Sequence, residues 1–241
     1  RISKLVEDRL ALTLEDAPSR FSLRALIRSR RTERPKSIDG FILRGNRLSA
    51  EKNDVFTQDP ERLVRVFRHC QQLECSPDLD LQSLIRASAP LCNQTVNHAP
   101  GAIDSFKAIL QESGNVYPTL SLMHELGILG RFVPEFEQLN CLVQHEFYHR
   151  YTADIHTLNT IRELDNIYAD KDDLAKPYRE ALHLCEDPTL LYLILLLHDI
   201  GKGSSIMGHA ESGVHLARPI LERFGIDAED SELVAFVIRN H

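Results

Sequence analysis

LLYLILLLHDIGKG, residues 190–203, is the stretch whose reading decides the fold. Eight apolar or aromatic residues, Leu190 to Leu197, run straight into His198 and Asp199, and two glycines then flank Lys202. A helix that is apolar all round is a buried helix. The run therefore predicts a post inside an all-helical domain, ending in the interior or at the floor of a cleft. An ionised aspartate there costs roughly several kcal/mol unless it is paired or bound to a cation. For adjacent His and Asp the simplest such partner is a divalent metal. Gly201 and Gly203 permit a tight turn after the pair, from which Lys202 could reach a substrate phosphate.

Three more histidines lie in segments that can converge on this pair. His156 sits in YTADIHTLNTIREL (151–164), where Ile155, Leu158, Ile161 and Leu164 recur at helical spacing. His209 opens HAESGVHLA (209–217), at a predicted helix start. His241 closes SELVAFVIRNH (231–241), sharing one helix face with Val234 and Val237. A lone histidine on an apolar face is more often a satisfied core residue than a ligand. The set together, beside an HD dipeptide, points to a metal. His145, His149, His183 and His215 lack that setting and read as structural or surface residues. His145 and His149 are four apart, but HEFYH lacks the glutamate placement of HExxH.

The totals frame what such a metal would be for. With 241 residues there is room for one large domain or two small ones, and 43% hydrophobic content is ordinary for a globular protein. A chain of this length can bury a core without metal or disulfides, so a metal would serve chemistry rather than folding. The net charge of −7 argues against a general nucleic-acid or anionic-membrane binder. The basic stretch RALIRSRRTERPK (24–36) reads as a solvated helix end and loop. Five cysteines (Cys70, Cys75, Cys92, Cys141 and Cys185) without a CxxC pair fit reduced thiols in a cytoplasmic protein. No signal peptide and no apolar stretch near 18 residues suggests export or membrane insertion. The chain begins at Arg1 rather than Met and stops abruptly at His241, and it reads as a piece of a longer protein.

Along the chain, residues 1–34 carry apolar residues at helical spacing. In SIDGFILRGNRLSA (37–50), GFIL and RLSA flank a Gly-Asn turn, predicting a hairpin over 39–50. Asp59-Pro60 is a helix-start signal ahead of ERLVRVFRHCQQL. Further helices are predicted at 77–89, 101–112 and 118–126, the last ended by Gly127, and 130–140 reads as a connection. The expected fold is mostly α. A helical linker domain with a small β-hairpin (1–140) precedes an all-helical domain (141–241) truncated at its C-terminus.

The motifs together carry a family resemblance. The order of His156, then HDIGKG at 198–203, resembles the HD superfamily of metal-dependent phosphohydrolases. More closely, YTADIHT (151–157), LLHDIGKG (196–203), HAESG (209–213), MHELGILGRFVPEF (123–136) and GFILRGNRLS (40–49) resemble the bifunctional PII uridylyltransferase/uridylyl-removing enzyme, the GlnD family. The likeness runs over about 40–241, its most specific motifs within 123–213. It implies metal ligands at His156, His198 and Asp199, with His209 and His241 on a second metal or facing substrate. It also implies one more aspartate ligand downstream of residue 241.

The transferase domain of that family needs a Gly-Ser turn before a DxD pair. The DxD here, Asp78-Leu79-Asp80, has no such turn and reads as a helix start, so uridylyl transfer is not expected in this piece. The family's ligand-sensing ACT domains are also absent. YTADIHT departs from the family pattern at Ala153 and Ile155, which leaves room for another protein substrate.

What the resemblance implies is phosphodiester hydrolysis that removes UMP from uridylylated PII, a signalling protein. A divalent ion (Mn, Mg, Fe, Co or Zn) would serve it, with Lys202, His209 and His241 as catalytic groups. Two other readings stay open: an HD phosphohydrolase of free nucleotides or cyclic dinucleotides, and a non-catalytic regulatory HD module.

Overall fold

Two tight turns shape the first described segment. Asp39 and Gly40 both adopt positive φ, 52° and 84°, as a two-residue Asp-Gly hairpin turn requires. They join β1 (Lys36–Ile38) to β2 (Phe41–Arg44), with Ile38 opposite Phe41. Gly45, φ 59°, is the first central residue of the next turn, which leads to β3 (Arg47–Ala50) with Arg44 opposite Arg47. The hairpin read from GFIL and RLSA is present, and β1 extends it. β4 (Ser76–Pro77) adds a short parallel pairing with Arg47 and Leu48, giving the order β1-β2-β3-β4. This computed structural model describes residues 35–140, 142, 152–169, 175–185, 187–203 and 208–241. The helices expected in 1–34, most of the Arg-rich stretch, His145 and His149 lie outside those residues.

Helices follow the sheet. After α1 (Val55–Gln58) comes α2 (Arg62–Gln72), where the Asp59 carboxylate accepts from the Glu61 N–H at 3.1 Å. Leu63, Val66, Phe67 and Cys70 line its buried face. α3 (Leu79–Ser88) starts on Asp78, whose side chain accepts from the Leu81 N–H at 2.8 Å. The Asp78-Leu79-Asp80 pair is thus a helix cap. α4 (Gln94–Asn97), α5 (Pro100–Leu110) and α6 (Tyr117–Glu125) come next, and Gly127 at φ 76° ends α6. The predicted connection over 130–140 contains two short helices, α7 (Leu129–Phe132) and α8 (Pro134–Glu137). Four-residue helices are too short to show a periodicity.

The remaining helices are α9 (Ala153–Ala169), α10 (Lys176–His183), α11 (Thr189–Leu197), α12 (His209–Arg223) and α13 (Ala228–Asn240), with a 3-10 turn at Ile200–Gly203. α12 continues through Pro219. Residues 35–241 form one compact unit whose apolar core runs from Phe41 to Ile238. Phe106 of α5, Phe132 of α7 and Phe224 after α12 meet in it, ring centroids 5.1 and 5.5 Å from Phe106. α11 is less enclosed than its sequence suggests. Tyr192, Leu193, Leu196 and Leu197 are buried, while Leu190, Leu191, Ile194 and Leu195 are half-buried. Apolar composition all round therefore gives one inner face and one partly covered face.

Candidate metal centre

α11 delivers His198 at its C-cap and Asp199 just beyond. Asp199 is 1% exposed, and neither carboxylate oxygen has an aligned hydrogen bond. Around it stand His198 Nε2 and His156 Nε2, 3.4 and 3.7 Å from Oδ2, and His241 Nε2, 3.4 Å from Oδ1. Lys202 Nζ approaches Oδ2 to 2.9 Å as an ion pair. One donor atom from each of His156, His198 and Asp199 lies within 4.8 Å of the others. Donors bound about 2.1 Å from a common ion stand about 3.0–3.5 Å apart when cis. The spacing thus needs only a slight contraction to hold a metal. The buried carboxylate is the observation that fits a cation best: among the described residues Oδ1 has no hydrogen-bond partner and Oδ2 is met only by the Lys202 ammonium, and an under-satisfied buried acceptor is costly.

The imidazoles are set for ligation. His198 Nδ1 lies 2.7 Å from the Leu195 carbonyl, and His241 Nδ1 lies 2.6 Å from the Ile238 carbonyl. A carbonyl oxygen only accepts, so both Nδ1 atoms carry the proton and both Nε2 lone pairs face Asp199. Each such bond reaches back three residues, so the helix end itself orients the ring. Burial pushes the His198 imidazole below its usual value, outweighing the neighbouring Asp199 charge. Burial alone would raise the Asp199 carboxyl. The charge that His198 carries when protonated, the bond and charge of the Lys202 ammonium, and protonated His156 outweigh that effect and hold it below the usual carboxylate range, so it is ionised.

The glycines after the pair serve close approach. A Cβ on Gly201 would lie 1.9 Å from the His209 carbonyl and 2.4 Å from the Gly213 nitrogen. The 3-10 turn thus packs backbone to backbone on the start of α12. A Cβ on Gly203 would meet Gln138. Lys202 points back to Asp199 rather than outward.

Of the sequence-predicted residues, His156, His198, Asp199, Lys202 and His241 come together. His209 stands one ring further out, its centroid 5.6 Å from that of His241. His215 is exposed on α12. His156 is the most open of the three described Oδ2 neighbours, its side chain 41% exposed against 13% for His198 and 15% for Lys202.

Sequence reasoning missed two polar contacts behind the site. His124 Nε2 of α6 lies 3.1 Å from the buried Asp154 Oδ2 of α9. Asp165, also on α9, accepts from Tyr192 Oη at 2.6 Å and from the Tyr117 N–H at 2.7 Å. A usable signal existed. Asp154 and Asp165 are eleven residues apart, three helical turns, so both acids fall on the stripe of Leu158 and Ile161.

Two regions of the chain match known families. Residues 41–132 match the family described as uridylyltransferase GlnD third domain, and residues 154–241 match the HD domain family. A bifunctional uridylyltransferase/uridylyl-removing enzyme of Caulobacter vibrioides (strain NA1000 / CB15N) is 34% identical over 213 residues, 86% of this chain and 23% of that protein. One of the same name from Rhodopseudomonas palustris is 33% identical over 241 residues, 96% of this chain and 26% of that protein. The chain thus spans about a quarter of the length of these relatives. A solved tRNA-processing enzyme in an apo form superposes with a TM-score of 0.49 at 18% identity, over 80% of this chain and 42% of that one. The chain is thus similar to the uridylyltransferase GlnD third domain over residues 41–132 and to the HD domain over residues 154–241.

Proposed function

We propose that residues 141–241 form a metal-dependent phosphohydrolase that removes UMP from a uridylylated PII-type signalling protein in the cytoplasm. The observation that carries this reading is the buried Asp199 carboxylate, its Oδ1 without a hydrogen bond and its Oδ2 paired with Lys202, faced by three imidazole Nε2 atoms. The HD family match and the uridylyl-removing name of the relatives support the reaction class. The two family matches leave 133–153 between them, which supports a division near residue 140. In this reading the preceding region is the stalk between a transferase domain and the hydrolase.

His156, His198 and Asp199 would hold a divalent ion. Bound there, the ion supplies Lewis acidity toward phosphoryl oxygens and acidifies water near neutral pH. The net reaction places a water oxygen on phosphorus and breaks the bond to the tyrosyl oxygen of the signalling protein. Water loses one proton and the leaving oxygen gains one. His241 is built for that transfer, since its Nδ1 proton is held by the Ile238 carbonyl and its Nε2 is free to accept. His209, packed against His241, keeps that ring in place or joins a second metal. Lys202 neutralises Asp199 and lies close enough to turn to a non-bridging phosphate oxygen.

The test is release of UMP from uridylylated PII by the purified protein with Mn2+, for wild type and Asp199→Asn. Turnover by wild type alone supports the reading. Turnover only on free nucleotides or cyclic dinucleotides reassigns the substrate. No turnover on any of them, with Mn2+ bound, leaves a regulatory module.

A further inference from the structure

We propose that His124 is a positioning residue for the metal centre: by holding Asp154 it sets where His156 stands. The inference rests on the metal-site reading above. It comes from how α6 and α9 are joined. The two helices pair antiparallel, with Tyr117 beside Asp165 at one end and His124 beside Asp154 at the other. The Tyr117–Asp165 end is clamped firmly. Asp165 takes the Tyr117 N–H and Tyr192 Oη, Tyr192 Oη in turn accepts from the Gly114 N–H at 3.0 Å, and the Arg162 guanidinium lies over the Tyr117 ring.

At the other end the Ala153 N–H donates to the Leu142 carbonyl at 3.1 Å, and between side chains it is His124 that meets Asp154. Its side chain is 6% exposed, Oδ2 faces His124 Nε2 at 3.1 Å, and Oδ1 has no hydrogen-bond partner. His124 is itself fixed edge-on against Phe136, centroids 5.8 Å apart at 89°. A carboxylate only accepts, so Nε2 carries the proton here.

Without the imidazole the buried carboxylate loses the partner of Oδ2 while Oδ1 already lacks one. The least costly response is for the start of α9 to move until Asp154 meets water. His156 is two residues away on that first turn. From Asp165 to His156 is nine residues, about 13 Å of helix at about 1.5 Å per residue. A pivot of about 5° about the firm end therefore shifts His156 by about 1 Å, well beyond the roughly 0.2 Å tolerance of a metal–ligand distance. The residue that does the holding lies in 41–132, the region matched to the GlnD third domain, and the residue held lies in the HD domain. The linker region thereby becomes part of the frame of the metal site.

The experiment is Mn2+ titration by calorimetry of the protein carrying His124→Ala, His124→Asn, His124→Gln, Tyr192→Phe or His198→Ala, with thermal midpoints measured alongside. Loss of a supporting contact behind a ligand typically weakens metal binding about 10–100-fold. His124→Ala should fall in that range. His124→Gln, whose amide nitrogen can reach the Nε2 position, should stay within about threefold of wild type, and the shorter His124→Asn should not. Tyr192→Phe should lower the thermal midpoint and leave the Mn2+ Kd unchanged, as a contact with a purely structural role does. If His124→Ala fails to fold, the gap between Asn and Gln decides. Equal Kd values for wild type and the His124 variants overturn the inference alone. No Mn2+ binding by wild type, or equal binding by wild type and His198→Ala, overturns the metal-site reading and the inference with it.

Discussion

Asp39, in the turn between β1 and β2, and Asp199, beyond α11, each gather histidine and long basic side chains around one carboxylate. Asp39 accepts from Arg62 Nε at 3.0 Å, Arg65 Nε at 2.6 Å and His69 Nε2 at 3.2 Å. Arg62 also donates to the Val55 carbonyl, and Arg65 to Asp59. Asp39 is thus enclosed by donors in contact. Asp199 is more deeply buried, yet its histidines stand at 3.4–3.7 Å, and His198 and His241 turn lone pairs rather than protons inward. Three neighbours surround Asp39 and four surround Asp199, but the first cluster is closed and the second has a hole at its centre. A cluster closed by donors is structure, and one in which imidazole acceptors face a carboxylate is a place for a cation.

The sharpest way to break this comparison is to neutralise each carboxylate in turn. Asp199→Asn should lower Mn2+ affinity and hydrolysis by about a thousandfold or more, with little change in thermal midpoint, because the loss of the Lys202 ion pair offsets the removal of a buried, under-satisfied charge. Calorimetry and a UMP-release assay check it. A large loss of stability in Asp199→Asn would mean that the carboxylate is structural after all. Next in size is Gly201→Ala. The added methyl meets backbone, so a cost of about 2–3 kcal/mol in urea unfolding and a loss of Mn2+ binding are expected together. Unchanged stability would show that the turn and α12 can separate freely.

Asp39→Asn should cost about 1–3 kcal/mol and leave Mn2+ binding alone. Its effect should vary with pH in a definite direction. Burial would raise the Asp39 carboxyl, but its bonds to Arg62, Arg65 and His69 prevail and hold it below the usual carboxylate range. A group lowered on folding contributes fully above its unfolded value of about 3.9 and loses that contribution as pH falls through the folded value. Urea midpoints should therefore differ between wild type and Asp39→Asn at pH 6 and converge toward pH 3. A gap that persists at pH 3 would assign the loss to packing. The smallest effect expected is that of Lys202→Ala. With no ammonium competing for Asp199 Oδ2, Mn2+ should bind a few-fold more tightly while hydrolysis slows. Weaker binding would make Lys202 a support of the site rather than a competitor.

Much of this was legible in local chemistry. Asp59, Asp78 and Gly127 mark helix ends because caps act within a few residues, and Gly45 marks the β2–β3 turn for the same reason. β1 escaped notice although Asp39-Gly40 announces its turn. β4 is two residues long and pairs with a strand about thirty residues earlier, which no local pattern encodes. At the site, His156, His198, Asp199 and His241 could be read because each stands at the edge of an apolar stripe whose partner is the core. The His124–Asp154 contact spans thirty residues between two helices and depends on their register. Such a register is set by packing, not by spacing.

The Gly201–Gly213 approach has a meaning for anyone who would redesign this molecule. The ring of imidazoles hangs on a junction between two stretches of main chain, with no side chain interposed. Leucines in α11 and α12 could be exchanged for others of like volume and the junction would still close. At Gly201 the alphabet has one letter. A library that randomised the whole domain would therefore show broad tolerance in its helices and near-total intolerance at a position that carries no chemical group.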